Sequence, residues 1–116
     1  MPNYIGRFAP SPTGSLHFGS LLTALASWCD ARAAKGKWLL RIEDVDVVRT
    51  QQGAADHIIQ TLEHYGLWWD GEISYQSQRT EYYQAALQKL QQQHDIFWCT
   101  CSRADLAQTN STIYSG

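Results

Sequence analysis

The stretch "YIGRFAPSPTGSLHF" at residues 4–18 does most to limit what this chain can fold into. "YIGRF" is rich in β-branched and aromatic residues and reads as a short strand. Pro10, Pro12 and Gly14 then forbid regular structure over "APSPTGSL", so the strand must leave into a shaped loop. From His17 to Ala34 the pattern turns helical. Phe18, Leu21, Leu22, Leu25, Trp28 and Cys29 recur at spacings of three and four, which predicts one apolar face with Cys29 as a small core residue. Gly36 is placed to end the helix. "WLLRIE" at 38–43 is a second strand, with Trp38, Leu40 and Ile42 on one face and Leu39, Arg41 and Glu43 on the other. A strand, a loop, a helix of this length and another strand make a βαβ unit, hence parallel strands and an α/β fold.

The remainder is less regular. A second helix is predicted from about Gln52 to Tyr65, with Ala55, Ile58, Ile59 and Leu62 on one side and Thr50 as N-cap. "GLWWDGEISYQSQ" reads as a loop or short strand, where Trp68 and Trp69 suit packing better than base stacking. A third helix over about 79–93 is expected to bury Tyr83, Ala86, Leu87 and Leu90, its "QKLQQQ" forming a solvated face. "IFWC" looks like one more short strand.

A length of 116 residues suits one small domain with a single core. No apolar run is long enough to span a bilayer, and "MPNYIGRFAP" has no signal-peptide pattern, so a cytoplasmic protein is expected. Three cysteines, two of them spaced C-x-C, fit reduced thiols or metal ligation better than a disulfide framework. The net charge of −2 lacks the basic excess of a nucleic-acid-binding domain. If the protein handles RNA, most of the electrostatic grip must come from elsewhere.

Chemistry concentrates in "RFAPSPTGSLHFGS", residues 7–20. A helix that starts after a Pro/Gly loop offers free N–H groups to phosphate. Gly19 would let a nucleotide lie against the backbone, and His17 could add a hydrogen bond or charge. A histidine capping a helix beside a small packing residue is the plainer reading of the same two residues. Arg7 ends the first strand, where ligands of open α/β sheets bind, and a guanidinium suits a carboxylate. A structural ion pair between Arg7 and Glu43 is its alternative, with Asp44 and Asp46 as solvated charges. No side-chain nucleophile stands out; Ser15 or Ser20 with a histidine lacks the G-x-S-x-G context of a hydrolase.

"RFAPSPTGSLHFGS" followed by "RIEDVD" at 41–46 closely resembles the class I glutamyl- and glutaminyl-tRNA synthetases, and Leu16, His17, Phe18 and Gly19 stand at their HIGH-type signature. The likeness continues through "HYGLWWDG" and "YQSQRTEYYQAAL" to "CTC". Within that family, Ser20 after the glycine and the short connection "DGEISYQ" resemble the short glutamyl-Q tRNA(Asp) synthetases. The resemblance implies the N-terminal half of a Rossmann-like catalytic domain over 1–98, followed by the start of a zinc-binding insertion over 99–116. It implies activation of glutamate by ATP, with magnesium, and transfer of glutamate to the queuosine base of tRNA(Asp). Arg7, Phe8, Ala9, Pro10, Ser11 and Glu43 would bind glutamate, with Arg7 on its carboxylate and Glu43 facing its ammonium. Pro10, Thr13, Gly14, His17, Gly19 and Ser20 would line ATP, with His17 the catalytic member.

The same resemblance bears on the C-x-C pair. In the similar short enzymes zinc is held by C-x-C, a tyrosine about a dozen residues on, and a cysteine four positions later. Cys99, Cys101 and Tyr114 match the first three, and the fourth would fall at position 118. Three ligands bind weakly, so a largely metal-free chain is expected. The family's late Lys-containing loop has no counterpart, since "AKGKW" comes too early. The chain therefore reads as an N-terminal piece with little synthetase activity by itself, from an enzyme expected to be monomeric. The alternatives are the corresponding part of a glutamyl-tRNA synthetase charging tRNA(Glu), and a non-catalytic glutamate- or nucleotide-binding remnant.

Overall fold

The computed structural model describes residues 3–108. Strand β1 (Ile5–Phe8) leads through the Pro/Gly loop into helix α1 (Phe18–Ala33), which returns to strand β2 (Lys37–Ile42). Helix α2 (Ala54–His64) follows, then a two-residue strand β3 (Ser74–Tyr75) and a 3-10 turn at Gln76–Arg79. Helices α3 (Thr80–Gln92) and α4 (Arg103–Gln108) complete the described chain. The three strands pair in parallel in the order β1-β2-β3, with Gly6 opposite Trp38, Phe8 opposite Leu40 and Ile42 opposite Tyr75. This is the parallel sheet that the βαβ pattern predicts, in the Rossmann-like arrangement that the resemblance implies. Among the described residues, tertiary contacts divide the chain into two compact units, the first ending at Thr80 and the second beginning at Glu81.

The core lies on the sheet face that carries Trp38, Leu40 and Ile42. These side chains are at most 1% exposed, and Ala24 and Ala31 of α1 and Ile58 and Leu62 of α2 pack with them. Phe8 stacks on Trp38 with ring centroids 6.0 Å apart. The buried indole N–H is satisfied by Ser27 Oγ at 3.0 Å, so the tryptophan adds apolar area without an orphaned donor. The alternation of β2 is therefore as read, but the buried stripe of α1 is not. Phe18, Leu22, Leu25 and Cys29 are exposed, and Leu21 and Trp28 are only partly covered. The reason is space. A Cβ on Gly6 would stand 3.3 Å from Ala31 Cβ, so α1 approaches β1 closely and presents its smallest residues to the sheet.

The helix ends depart from expectation in an informative way. Helix α1 closes in a Schellman motif, with Lys35 N–H donating to Arg32 O and Gly36 N–H to Ala31 O. The left-handed residue is Lys35, at φ 51°, rather than Gly36. Gly36 is required for another reason: a Cβ there would lie 2.2 Å from Tyr4 O. Helix α2 ends in the same motif with Gly66 at φ 72°, and Leu67 folds back into the core beside Leu62. Its N-cap is Gly53, not Thr50, whose N–H instead donates to Asp46 O.

Arg32, in the last turn of α1, ties the helix to the aromatic loop. Its guanidinium donates to Asp70 Oδ2 and Trp68 O, both at 2.7 Å, and lies over the Trp28 ring. Asp70 in turn clamps one residue of β2, accepting from Trp38 N–H and donating its own N–H to Trp38 O. Trp69 packs against the core, whereas Trp68 is 55% exposed. In the second unit "IFWC" forms no strand, and α4 is an element the sequence reading lacks. Tyr83, Ala86, Leu87 and Leu90 of α3 are exposed, contrary to the expected buried stripe. Among the described residues no helix is long and apolar enough to cross a membrane.

Candidate functional site

A cavity of about 320 Å³ opens where β1 ends and α1 begins, the position at which the C-terminal edge of a parallel sheet presents ligands. Phe8, Ala9, Pro10, Ser11, Thr13, Gly14, His17 and Ser20 all line it. The structure thus gathers eight of the predicted glutamate and ATP residues around one space. Leu16 of the HIGH-type signature joins them, as do Ser15 and Thr23, which the sequence does not assign to the site. Thr23 was legible in principle, since it lies one helical turn beyond Ser20 on the same face.

Local bonds hold this loop in shape. Thr13 N–H donates to Ser11 O at 2.8 Å, making a tight turn inside the loop. Two distant amides fasten its outer side: Glu43 N–H donates to Pro10 O at 3.0 Å and Gln51 N–H to Pro12 O at 2.9 Å. Pro12 is fully buried. A loop with few backbone donors of its own is therefore fixed by donors from the chain that follows β2.

His17 is the N-cap of α1, with extended backbone, and its Nδ1 accepts from Ser20 N–H at 3.2 Å. Its Nε2 lies 3.1 Å from Ser20 Oγ. Gly19 has a packing reason for lacking a side chain, since a Cβ would stand 3.1 Å from His17 Cε1. The glycine makes room for the imidazole on its own helix turn.

Arg7, Gly19 and Glu43 do not line the cavity. Arg7 is exposed on the sheet face opposite the core and forms no ion pair among the described residues. Glu43 pairs instead with Arg41 at 3.4 Å, so the alternative of an Arg7–Glu43 bridge is not realised. Asp44 is not a merely solvated charge: it accepts from Ser77 N–H and Oγ–H at 2.9 and 2.7 Å. Burial alone would raise its carboxyl, but these two hydrogen bonds outweigh that and hold it below the usual range. Asp46 is paired with Arg49 at 3.2 Å.

Cys99 and Cys101 are exposed, and the neighbouring Cys99 thiol pushes the Cys101 thiol up. Two adjacent soft donors suit zinc, yet they are half of a structural site. Among the described residues no third His, Cys, Asp or Glu joins them. Tyr114 lies outside the described residues.

Residues 5–115 match the family model described as tRNA synthetases class I (E and Q), catalytic domain. A glutamyl-Q tRNA(Asp) synthetase of Photorhabdus laumondii is 60% identical over 107 residues, covering 92% of this chain and 34% of that protein. One from Pseudomonas entomophila is 60% identical over 113 residues, covering 97% of this chain and 38% of that protein. The chain thus spans about a third of the length of these curated relatives. Among solved structures, a glutamate tRNA ligase of Elizabethkingia meningosepticum, in complex with its amino acid, superposes with a TM-score of 0.76 at 30% identity. That match covers 91% of this chain and 23% of the ligase. A parallel βαβ sheet, a cavity at the end of its first strand and a family match over nearly the whole chain agree: this chain belongs to the catalytic-domain family of the class I tRNA synthetases for glutamate and glutamine.

Proposed function

We propose that this chain carries the ATP- and glutamate-binding part of a cytoplasmic glutamyl-Q tRNA(Asp) synthetase. In that reaction a carboxylate oxygen of glutamate attacks the α-phosphate of ATP and pyrophosphate leaves. The activated glutamyl group then passes to the queuosine base of tRNA(Asp). The observation that carries the reading is the convergence of Phe8–Ser11, Thr13–His17 and Ser20 on one cavity, in a chain that is 60% identical to relatives of that name.

The residues present suit the chemistry. Hydroxyls of Ser11, Thr13 and Ser20 and the N–H groups of the first turn of α1 that His17 leaves uncapped supply donors for phosphate oxygens. A guanidinium at Arg7 suits the glutamate carboxylate, and Glu43 suits its ammonium once the substrate competes with Arg41 for it. The chain's part is positioning and charge stabilisation, which need no side-chain nucleophile. Cys99, Cys101 and Tyr114 are proposed to contribute three ligands to a zinc site.

Calorimetry of the chain with ATP and with glutamate tests the binding claim: Arg7→Ala should abolish heat with glutamate and leave heat with ATP. Absence of heat with both ligands in the unsubstituted chain would sink it. A second reading, charging of tRNA(Glu), is favoured by the likeness to the glutamate tRNA ligase structure. A protein of the relatives' full length decides between the two by glutamate transfer to queuosine-containing tRNA(Asp) or to tRNA(Glu).

A further inference from the structure

Asp70 and Gly71 form the one Asp–Gly pair in the chain, and no Asn–Gly pair occurs. Such a pair has a chemistry of its own. A glycine nitrogen has no neighbouring side chain to hinder it, so it attacks the preceding side-chain carboxyl more readily than the nitrogen of a bulkier residue. The new C–N bond closes a five-membered succinimide, and the carboxyl oxygen leaves as water. Water then reopens the ring at either carbonyl, giving back aspartate or a β-linked isoaspartate. The water lost in the first step returns in the second, so no oxidant or co-reactant is needed.

The fold treats the two residues of the pair oppositely. Gly71 is exposed at φ 72°, and nothing stands within 4 Å of where a Cβ would be. Asp70 is half-buried and fastened at three points. Its Oδ2 accepts from Trp38 N–H at 2.8 Å and from Arg32 at 2.7 Å, and its own N–H donates to Trp38 O at 2.8 Å. The Trp38 and Arg32 donors favour the charged carboxylate and hold the carboxyl below its usual range. Arg32 is itself anchored, since it also donates to Trp68 O at 2.7 Å. Cyclisation needs the opposite: a protonated carboxyl, free to turn onto the glycine nitrogen and to lose an oxygen.

We propose that Asp70–Gly71 is a latent covalent modification site, sealed in the folded chain by Arg32 and the Trp38 amide, which forms isoaspartate when this edge opens. The product does not restore the clamp. Isoaspartate lengthens the backbone by one carbon and shortens the reach of its carboxylate, so α1 loses its tie to the 68–70 loop. The freed α-carboxylate is the group that a methyltransferase for β-linked aspartate esterifies from a sulfonium donor. That ester recloses to the succinimide as methanol leaves.

Incubation at neutral pH tests this, with isoaspartate at residue 70 read by peptide mapping and by enzymatic methyl transfer from labelled S-adenosylmethionine. The folded chain should form it at least about tenfold more slowly than the same chain in urea, where the clamp is gone. Arg32→Gln, shown by circular dichroism to be folded, should form it about threefold faster than the unsubstituted folded chain. Arg32→Lys keeps the charge without the planar fork and should fall between the two. Equal rates for the folded and urea-unfolded chain overturn the sealing. Folded Arg32 variants no faster than the unsubstituted chain overturn the part given to Arg32. Absence of isoaspartate at residue 70 in urea overturns the site itself.

Discussion

Asp70 shows how one half-buried carboxylate can organise a sheet edge. Its side chain receives the Trp38 N–H and the Arg32 guanidinium, and these hold its carboxyl below the usual value of 3.8. A lowered folded-state value means that the unfolded chain takes up the proton first as pH falls. The stabilisation is thus complete above 3.8 and is lost as pH drops through the folded-state value. Asp70→Asn should lower the melting temperature at neutral pH and flatten its fall in acid. Asp44 leaves part of that slope in place. Parallel melting curves for both proteins between about pH 5 and about pH 2 would contradict this. Gly36 offers a residue-scale test of a different kind. The backbone carbonyl of Tyr4 stands 2.2 Å from the site of an added Cβ and also accepts the Lys37 N–H, so it cannot retreat cheaply. Gly36→Ala should cost about 3 kcal/mol, read from urea unfolding.

At the scale of elements, the helix ends invite comparison. Schellman motifs close α1, α2 and α3 with Lys35, Gly66 and His94 in the left-handed position. Two of these carry a Cβ that this backbone region penalises, by roughly 1 kcal/mol relative to glycine. Lys35→Gly should therefore stabilise the first unit by up to about 1 kcal/mol, and Gly66→Ala should destabilise it by about as much. Chemical denaturation with unchanged m-values checks both; equal midpoints for wild type and Lys35→Gly would refute the first. The loop between β1 and α1 belongs to this scale too. It is held by Glu43 and Gln51 amides, so changes after β2 should alter the cavity without touching its lining.

Across the sheet, one face holds the core and the other is exposed along β1 and half-covered along β2. Ile5 is 60% exposed and Arg7 is exposed, although purely parallel sheets are usually covered on both faces. Among the described residues β1 pairs only with β2, and Phe18, Val48 and Trp98 are each more than 80% exposed. A core this thin tolerates little loss: Ile58→Ala should cost about 2–5 kcal/mol and largely unfold the first unit at 25 °C. The chain should also associate as concentration rises, through its open edge and apolar patches. Sedimentation velocity with one constant, concentration-independent species would overturn that expectation.

The sequence by itself determined the strand, shaped loop, helix and strand of residues 5–42, and the face of β2 that is buried. These follow from local sterics: proline and glycine break regular structure, and a pleat alternates side chains whatever lies beyond. It also brought the cavity residues together in one stretch, because a strand end, a loop and a helix start are neighbours in any βαβ unit. The tertiary structure alone decided which face of α1 is covered, since Gly6 and Trp38 admit alanines where leucines looked the better candidates. It alone gave Glu43 to Arg41, Asp44 to Ser77, and the left-handed position to Lys35 instead of Gly36. Burial and pairing depend on what packs opposite, and that partner is set by distant parts of the chain rather than by the residue's own neighbours.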